Sequence, residues 1–321
     1  MRGLIDRLAR TLALPVVPGA RTRLGELPMI AWFSAITWFA IGRDALNVEF
    51  GWDAILYTHA ARALLAGADP WAPAGIAGQY AGPPPGLLPY LPFVGLPDSI
   101  VAVAWMAIAA ISAVYVLRRL RLPAWWLLFP PVSVGIFAGS TALPVTALLV
   151  AGGPLADGAA VALRAYAALP LALLGRWRGL VAAAAIVLVT APFLAWPTYF
   201  ADSKMISELL VTQTQGGQSA AAVPPLVPIA IVCLFLLGRR RAAWLLVPAL
   251  WPFSQGYYGV IALPVLAEVP LVALAMATNN LPIIIPGLIV VGLVAQVIAE
   301  RLRAPLPSLA ELGWRTLSWR P

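Results

Sequence analysis

The residues best equipped for chemistry lie in one stretch, Gly51 to Trp71 (GWDAILYTHAARALLAGADPW), which carries Asp53, Tyr57, the sole histidine His59, Arg62 and Asp69. At helical spacing Asp53 and Tyr57 fall on one face, which Ala60 and Leu64 continue. A carboxylate so placed can take a proton from a hydroxyl. It can also cap its own helix, because it follows Gly51-Trp52, and the two roles are compatible. Arg62 sits about half a turn out of phase with Asp53 on an ideal helix, so it pairs elsewhere, with His59 beside it at i, i+3. One histidine without an HExxH, CxxC or DxD-like cluster makes a poor metal site, and no metal is expected. The helix is predicted to end at Gly67. Asp69-Pro70-Trp71 and the following AGIAGQYAGPPPG, which ends in Pro83 to Pro85, read as a connector.

The elements that must position these residues are set by composition. With 61% hydrophobic and 11% charged residues, and a mean hydropathy of +0.88, the chain has too little polar surface to cover a soluble globule. The expectation is an all-α, polytopic transmembrane bundle forming one domain over residues 1–321. The 31 prolines and 26 glycines fit spans that are kinked or broken around a cavity. The net charge of +8 does not imply nucleic acid, because the arginines cluster in short runs between apolar segments, the positive-inside pattern. The lone Cys233 lies in an apolar run, so neither a disulfide framework nor a thiolate metal site is expected. The basic N-terminal stretch reads as an amphipathic segment on the cytoplasmic membrane surface and not as a cleaved signal.

Taken in order, the apolar runs are about Leu27–Ile41, Leu87–Leu96, Ile100–Leu117, Trp125–Phe137, Ala142–Ala151, Ala159–Leu174 and Leu180–Leu194. Two more flank SQGYY at Ser254–Tyr258, and the last covers about Ile283–Ala299. The length rule gives about nine to eleven spans. Basic clusters at Arg118–Arg121, Arg176–Arg178 and Arg239–Arg241 read as cytoplasmic, although five short crossings between the first external loop and Arg176 leave the first of them outside. Two large loops then face outward. Residues 42–86 hold Asp44, Glu49, Asp53 and Asp69 together with a juxtamembrane amphipathic helix, and residues 196–223 hold Lys204, Glu208 and QTQGGQS at Gln213–Ser219. No internal repeat is evident.

Three polar segments thus converge on the outer face: the Asp53 loop, the Lys204–Ser219 loop and SQGYY. A carboxylate, cations and amides at one membrane surface suit transfer chemistry on a lipid-linked substrate. Tyr57 serves equally well as a substrate contact or as an aromatic anchor in the headgroup layer. Lys204, the sole lysine, is by default a solvated loop residue.

The run Asp53-x-x-x-Tyr57-x-x-Ala60-Ala61-Arg62-Ala63-Leu64-Leu65-x-Gly67-x-Asp69-Pro70-Trp71, with Tyr80 and Pro83–Pro85, resembles the first external loop of C-type membrane glycosyltransferases. The similarity is to the bacterial polyprenyl-phosphate-mannose-dependent alpha-mannosyltransferases. Gly139-Ser140, Gly217-Gln218-Ser219 and Pro252-x-x-x-x-Tyr257-Tyr258 before Leu263-Pro264 agree in order, while Gln255 stands where such proteins often carry histidine. The resemblance implies inverting transfer of a mannose-like sugar from a polyprenyl phosphate donor to a lipid or glycan acceptor hydroxyl at the outer face of the cell membrane. Asp53 would be the base, and Arg43, Arg62 and Lys204 the cations for the leaving phosphate. Tyr57, Gln218, Ser219, Tyr257 and Tyr258 would contact substrate, with Trp71 and Tyr80 as further stacking platforms. No cofactor is implied, and no nucleotide-binding loop is present in the sequence. Two other readings stay open. A transporter or flippase would carry ionisable residues at membrane depth, for which Arg164 and Glu268 are the candidates, and an inactive relative would act as a membrane partner.

Overall fold

The computed structural model describes residues 11, 13–14, 22–47, 50–72, 80–214, 218–252, 254–279 and 285–302. The N-terminal basic stretch, Glu49, residues 215–217 of the Gln213–Ser219 tract and the side chains of Asp44, Gln213 and Thr214 fall outside the description. All regular elements among the described residues are helical. Short 3-10 turns aside, they are α1 (Leu27–Asn47), α2 (Trp52–Leu65), a 3-10 helix Pro84–Phe93, α3 (Asp98–Arg119), α4 (Pro130–Phe137), α5 (Ala142–Ala151), α6 (Pro154–Leu163), α7 (Ala168–Leu174), α8 (Trp177–Thr190), α9 (Trp196–Ala201), α10 (Ser203–Thr214), α11 (Val227–Leu237) and α12 (Arg239–Leu250). A 3-10 segment Gly256–Ala262 then runs into α13 (Leu263–Leu266), followed by α14 (Pro270–Thr278) and α15 (Leu288–Arg301).

Proline sets much of this segmentation. It stands in the first turn of α4, α6, α9, α11 and α14, where its fixed φ suits the helix and its missing N–H costs nothing. Two helices, over Leu24–Arg43 and Asp98–Arg119, are long and apolar enough to cross a membrane, and there are three if α4 and α5, bent by 119° at Gly139-Ser140, count as one broken span. This departs from the about nine to eleven spans that the sequence predicts from apolar length. Leu87–Leu96 forms no helix long enough to cross: Pro89 and Pro92 deprive it of α-helical donors, and most of it belongs to the 3-10 helix Pro84–Phe93, with Leu87 and Tyr90 buried. The run Ala159–Leu174 breaks where Arg164 turns extended (φ −147°, ψ 112°) between α6 and a short 3-10 turn. Outward-facing Trp38 and Phe39 on α1, Val181 and Leu188 on α8, and Val291 and Ile298 on α15 give the exterior an apolar character that suits lipid.

The basic cluster at 239–241, expected in a turn, opens α12. Arg240 and Arg241 both reach Glu268, and Arg241 also reaches Glu300 at 2.9 Å. Glu268 therefore ties helix ends together and does not stand alone at membrane depth. A similar tie joins α6 to the start of α8, where Arg176 lies 2.5 Å from Asp157. The interior divides in two. A large aliphatic cluster holds α4, α5, α12 and α14 together, and a smaller aromatic one joins α2, the 3-10 helix Pro84–Phe93, the first half of α3 and Ile206 of α10. Helix α2 is consequently more deeply packed than a juxtamembrane surface helix would be, with Asp53, Ala54, Ile55, Tyr57, Thr58, Ala60 and Ala61 all buried.

A buried aspartate and arginine at the break between helices

Two glycines put Asp53 where it is. Gly51 has φ +73°, and a Cβ there would come within 2.5 Å of the Ala102 Cβ on α3. Gly139, at φ +66°, faces Ala54 and Gly51 across the break between α4 and α5. Without side chains at these positions, the start of α2 lies directly on the last turn of α4. The Gly51 amide donates to the Phe137 carbonyl (2.8 Å) and the Asp53 amide to the Ala138 carbonyl (3.1 Å). The second of these overturns the capping role. Gly51 is the N-cap, no side chain caps the helix, and Asp53 sits inside the first turn with its amide already satisfied by another helix.

Asp53 is 4% exposed, and among the described residues its Oδ2 has no hydrogen-bond partner. Hydroxyls of Tyr257 and Ser140 lie against the carboxyl, and the Arg164 guanidinium is close enough to act on it electrostatically. Burial pushes the carboxyl above the ordinary carboxylate range, while Arg164 and the two hydroxyls oppose that rise. Arg164 is itself 8% exposed. Its Nε donates to Thr141 Oγ1 at 2.8 Å and its Nη2 to the Tyr57 hydroxyl, and the guanidinium carbon stands 4.8 Å from the centre of the Tyr57 ring. Tyrosines close the site. Tyr57 meets Tyr80 and Tyr90 edge-on, each at 5.3 Å, and Tyr166 packs on Tyr258 at 4.8 Å. A carboxyl with an unpartnered oxygen, beside a cation bonded to the Thr141 and Tyr57 hydroxyls, can accept a proton at one point and stabilise an anion at another.

The structure brings Asp53, Tyr57, Tyr257 and Tyr258 together and distributes the remaining candidates elsewhere. Arg62 binds Asp98 (3.0 Å) and the carbonyls of Val94 and Leu96 (both 2.7 Å), and His59 binds the other Asp98 oxygen at 2.8 Å. Both side chains pin α2 to the start of α3, and Arg62 is engaged there by Asp98 and two carbonyls, apart from Asp53. Arg43 lies partly buried near the end of α1. Lys204 is exposed on α10, the helix whose Ile206 packs into the aromatic cluster with Tyr57. Gln218 donates through its backbone N–H to the Ser254 carbonyl (2.8 Å). Ser219 is fully buried, donates to the Trp251 carbonyl (2.8 Å) and caps the turn at Ala220, which is a structural role. Trp71 and Tyr80 are not open platforms either: Trp71 Nε1 donates to Gly82 and the Tyr80 hydroxyl to Pro83, so both rings fold the proline connector inward.

The residue that sequence reading underweighted is Arg164, with Ser140, Thr141 and Tyr166 around it. Its signal was present, since it is the one charge in the apolar run between Asp157 and Arg176. What could not be seen was that a break in that run would turn it toward α2. Among the described residues no group of three or more His, Cys, Asp or Glu side chains could hold a metal ion. Comparison with protein-family models, with curated proteins and with solved structures found no match to this chain.

Proposed function

We propose that this chain is a polytopic membrane glycosyltransferase that moves a mannose-like sugar from a polyprenyl phosphate to a lipid or glycan hydroxyl on the outer membrane face, with inversion. The observation that carries the reading is the buried Asp53 carboxyl, one oxygen unpartnered, beside the hydroxyl-held Arg164. The resemblance of the Gly51–Trp71 stretch supports it. In this scheme the acceptor hydroxyl gives its proton to Asp53 as its oxygen bonds to the anomeric carbon. The bond from that carbon to the carrier phosphate breaks, and its electron pair leaves with the phosphate oxygen. General-base catalysis contributes a factor of about 10² to 10⁴. The charge developing on the phosphate meets Arg164, which takes the part first expected of Arg62. With Asp53 at 4% exposure, substrate entry requires α10 or the turn carrying Tyr257 and Tyr258 to shift.

The test is transfer itself. Purified protein in lipid, given labelled polyprenyl phosphate sugars and a membrane lipid extract, should yield a new labelled product that Asp53→Asn protein fails to make. The sidedness is tested separately, by cysteine placed at Leu65, which is exposed on α2, or at Gly217, in a background lacking Cys233. Both positions should react with an impermeant thiol reagent from outside, and reaction of only one breaks the shared-site arrangement. The same buried Asp53 and Arg164 favour a second reading, a lipid or solute transporter, because charges deep in a helical bundle often mark a translocation path. Movement of labelled lipid across a vesicle wall without a chemical product would decide for it.

A further inference from the structure

The two helices long enough to cross a membrane run antiparallel, and this gathers basic residues at one end of the pair. At the other end Gly51, just past α1, lies against Ala102 near the start of α3. At the basic end Glu26, just before α1, accepts a hydrogen bond from Nε1 of Trp125, which follows α3, at 3.2 Å. Arg23, Arg118, Arg119 and Arg121 are all exposed there. Arg121 is the one non-glycine residue among those described with a positive φ (57°). Its N–H donates to the Arg118 carbonyl (3.1 Å) and that of Leu122 to the Leu117 carbonyl (2.9 Å), which closes α3 in a turn that ordinarily takes glycine. Several arginines elsewhere meet carboxylates, as Arg62 does Asp98, Arg176 does Asp157, and Arg240 and Arg241 do Glu268. Among the described residues Arg118, Arg119 and Arg121 have no such partner, and Glu26 is engaged by the Trp125 indole and the Arg23 backbone N–H.

We propose that this end of the bundle is a binding surface for anionic phospholipid, whose headgroup phosphates are taken by Arg118, Arg119 and Arg121. Guanidinium forks match phosphate oxygens in pairs, and a surface ligand of this kind needs no cavity. The flank of α3 that leads to the arginines exposes Ile111, Val114 and Tyr115, which suits acyl chains and argues against an aqueous polyanion as the partner. An aromatic layer follows the turn: Trp125 stacks on Trp126 at 5.1 Å, and Phe33 of α1 meets Trp125, Trp126 and Phe129 at 5.8, 5.7 and 5.0 Å. Indoles favour the headgroup layer, so this end carries both the aromatic and the cationic marks of a membrane–water boundary. The negative end of the α3 dipole accounts for arginines at 118 and 119, but not for one held at a φ of 57°. The inference does not rest on the transferase reading, because it concerns the end of α3 away from α2.

The experiment exposes full-length protein in detergent to mixed micelles of phosphatidylglycerol and phosphatidylcholine with the same acyl chains, and counts the retained lipids by native mass spectrometry. Wild type should retain phosphatidylglycerol in preference, and each arginine removed should lower that preference by about fivefold. Arg118→Gln, Arg119→Gln and Arg121→Gln together should therefore lose most of it, while the three lysine substitutions, which keep the charge, should preserve most of it. Arg121→Gly serves where the triple glutamine variant fails to fold. Glycine suits the turn, so this protein should melt no lower than wild type and still lose about fivefold in preference. Wild type without a preference, a preference unchanged in both the glutamine triple and Arg121→Gly, or one abolished by millimolar inorganic phosphate, which would make the ligand a free anion, overturns the inference.

Discussion

Asp53→Asn separates chemistry from structure more cleanly here than the same change would at a helix cap. The capping position belongs to Gly51, so no cap is lost. Asparagine keeps the shape of aspartate, retains one oxygen toward the Tyr257 and Ser140 hydroxyls, and puts its amide nitrogen where Oδ2 already lacks a partner. One unsatisfied buried atom replaces another, and stability should change by less than about 1 kcal/mol. The catalytic effect has no such compensation, because an amide cannot take the acceptor's proton. A loss of about 10² to 10⁴ in rate is expected, which is roughly 2.7 to 5.4 kcal/mol in the barrier. The pH profile adds an independent check. Burial raises the Asp53 pKa above its ordinary value, and a base must be deprotonated to work, so wild-type transfer should fall on acidification through a pKa above that of an exposed carboxylate. The residual rate of Asp53→Asn should lack that limb. For stability the sign reverses: a carboxyl with a raised native pKa destabilises the folded state as pH climbs from the unfolded value through the native one, and the variant should lose this dependence. Labelled-sugar transfer and thermal unfolding of the same nanodisc preparations measure both. A folded Asp53→Asn protein with near-normal transfer refutes the assignment, and a collapse of its melting temperature refutes the claim that the residue is structurally replaceable.

Arg164→Gln should raise the donor concentration needed for half-maximal transfer by about tenfold or more, with Arg164→Lys recovering part of it, as loss of a charge-assisted partner predicts; an unchanged donor dependence in folded protein removes Arg164 from phosphate binding. Gly51→Ala should destabilise the protein by about 2 kcal/mol or more, because alanine is disfavoured at φ +73° and its Cβ would meet Ala102 at 2.5 Å. Transfer should fall with it, since the same contact seats Asp53, and a normal melting temperature for Gly51→Ala would contradict that packing. Asp98→Asn weakens the anchor shared by His59 and Arg62, and at 40% side-chain exposure of Asp98 its cost should stay within about 1 kcal/mol and shrink in high salt.

Apolar content suited this chain to a membrane, because 11% charged residues cannot solvate the surface of a globule of this length, and the length of its apolar runs pointed to helices. Local spacing determined α2, its end near Gly67 and the shared face of Asp53 and Tyr57, since each follows from a 3.6-residue period and a breaker. The number of spans did not follow, because apolar runs look alike whether a helix crosses a bilayer or is cut by prolines into shorter pieces, as at Pro89, Pro92 and the bend before Ser140. Which arginine meets Asp53 was also beyond local reading. Arg62, on the same helix, is turned by its helical phase to Asp98, whereas Arg164 comes from a distant run and reaches Tyr57 only because α6 breaks at that residue. The tertiary structure decided this pairing. Spacing fixes the face a side chain takes on its own helix, but the partner across an interface depends on how helices approach: glycines at 51 and 139 seat α2 on the end of α4, and the break after α6 brings Arg164 to Tyr57.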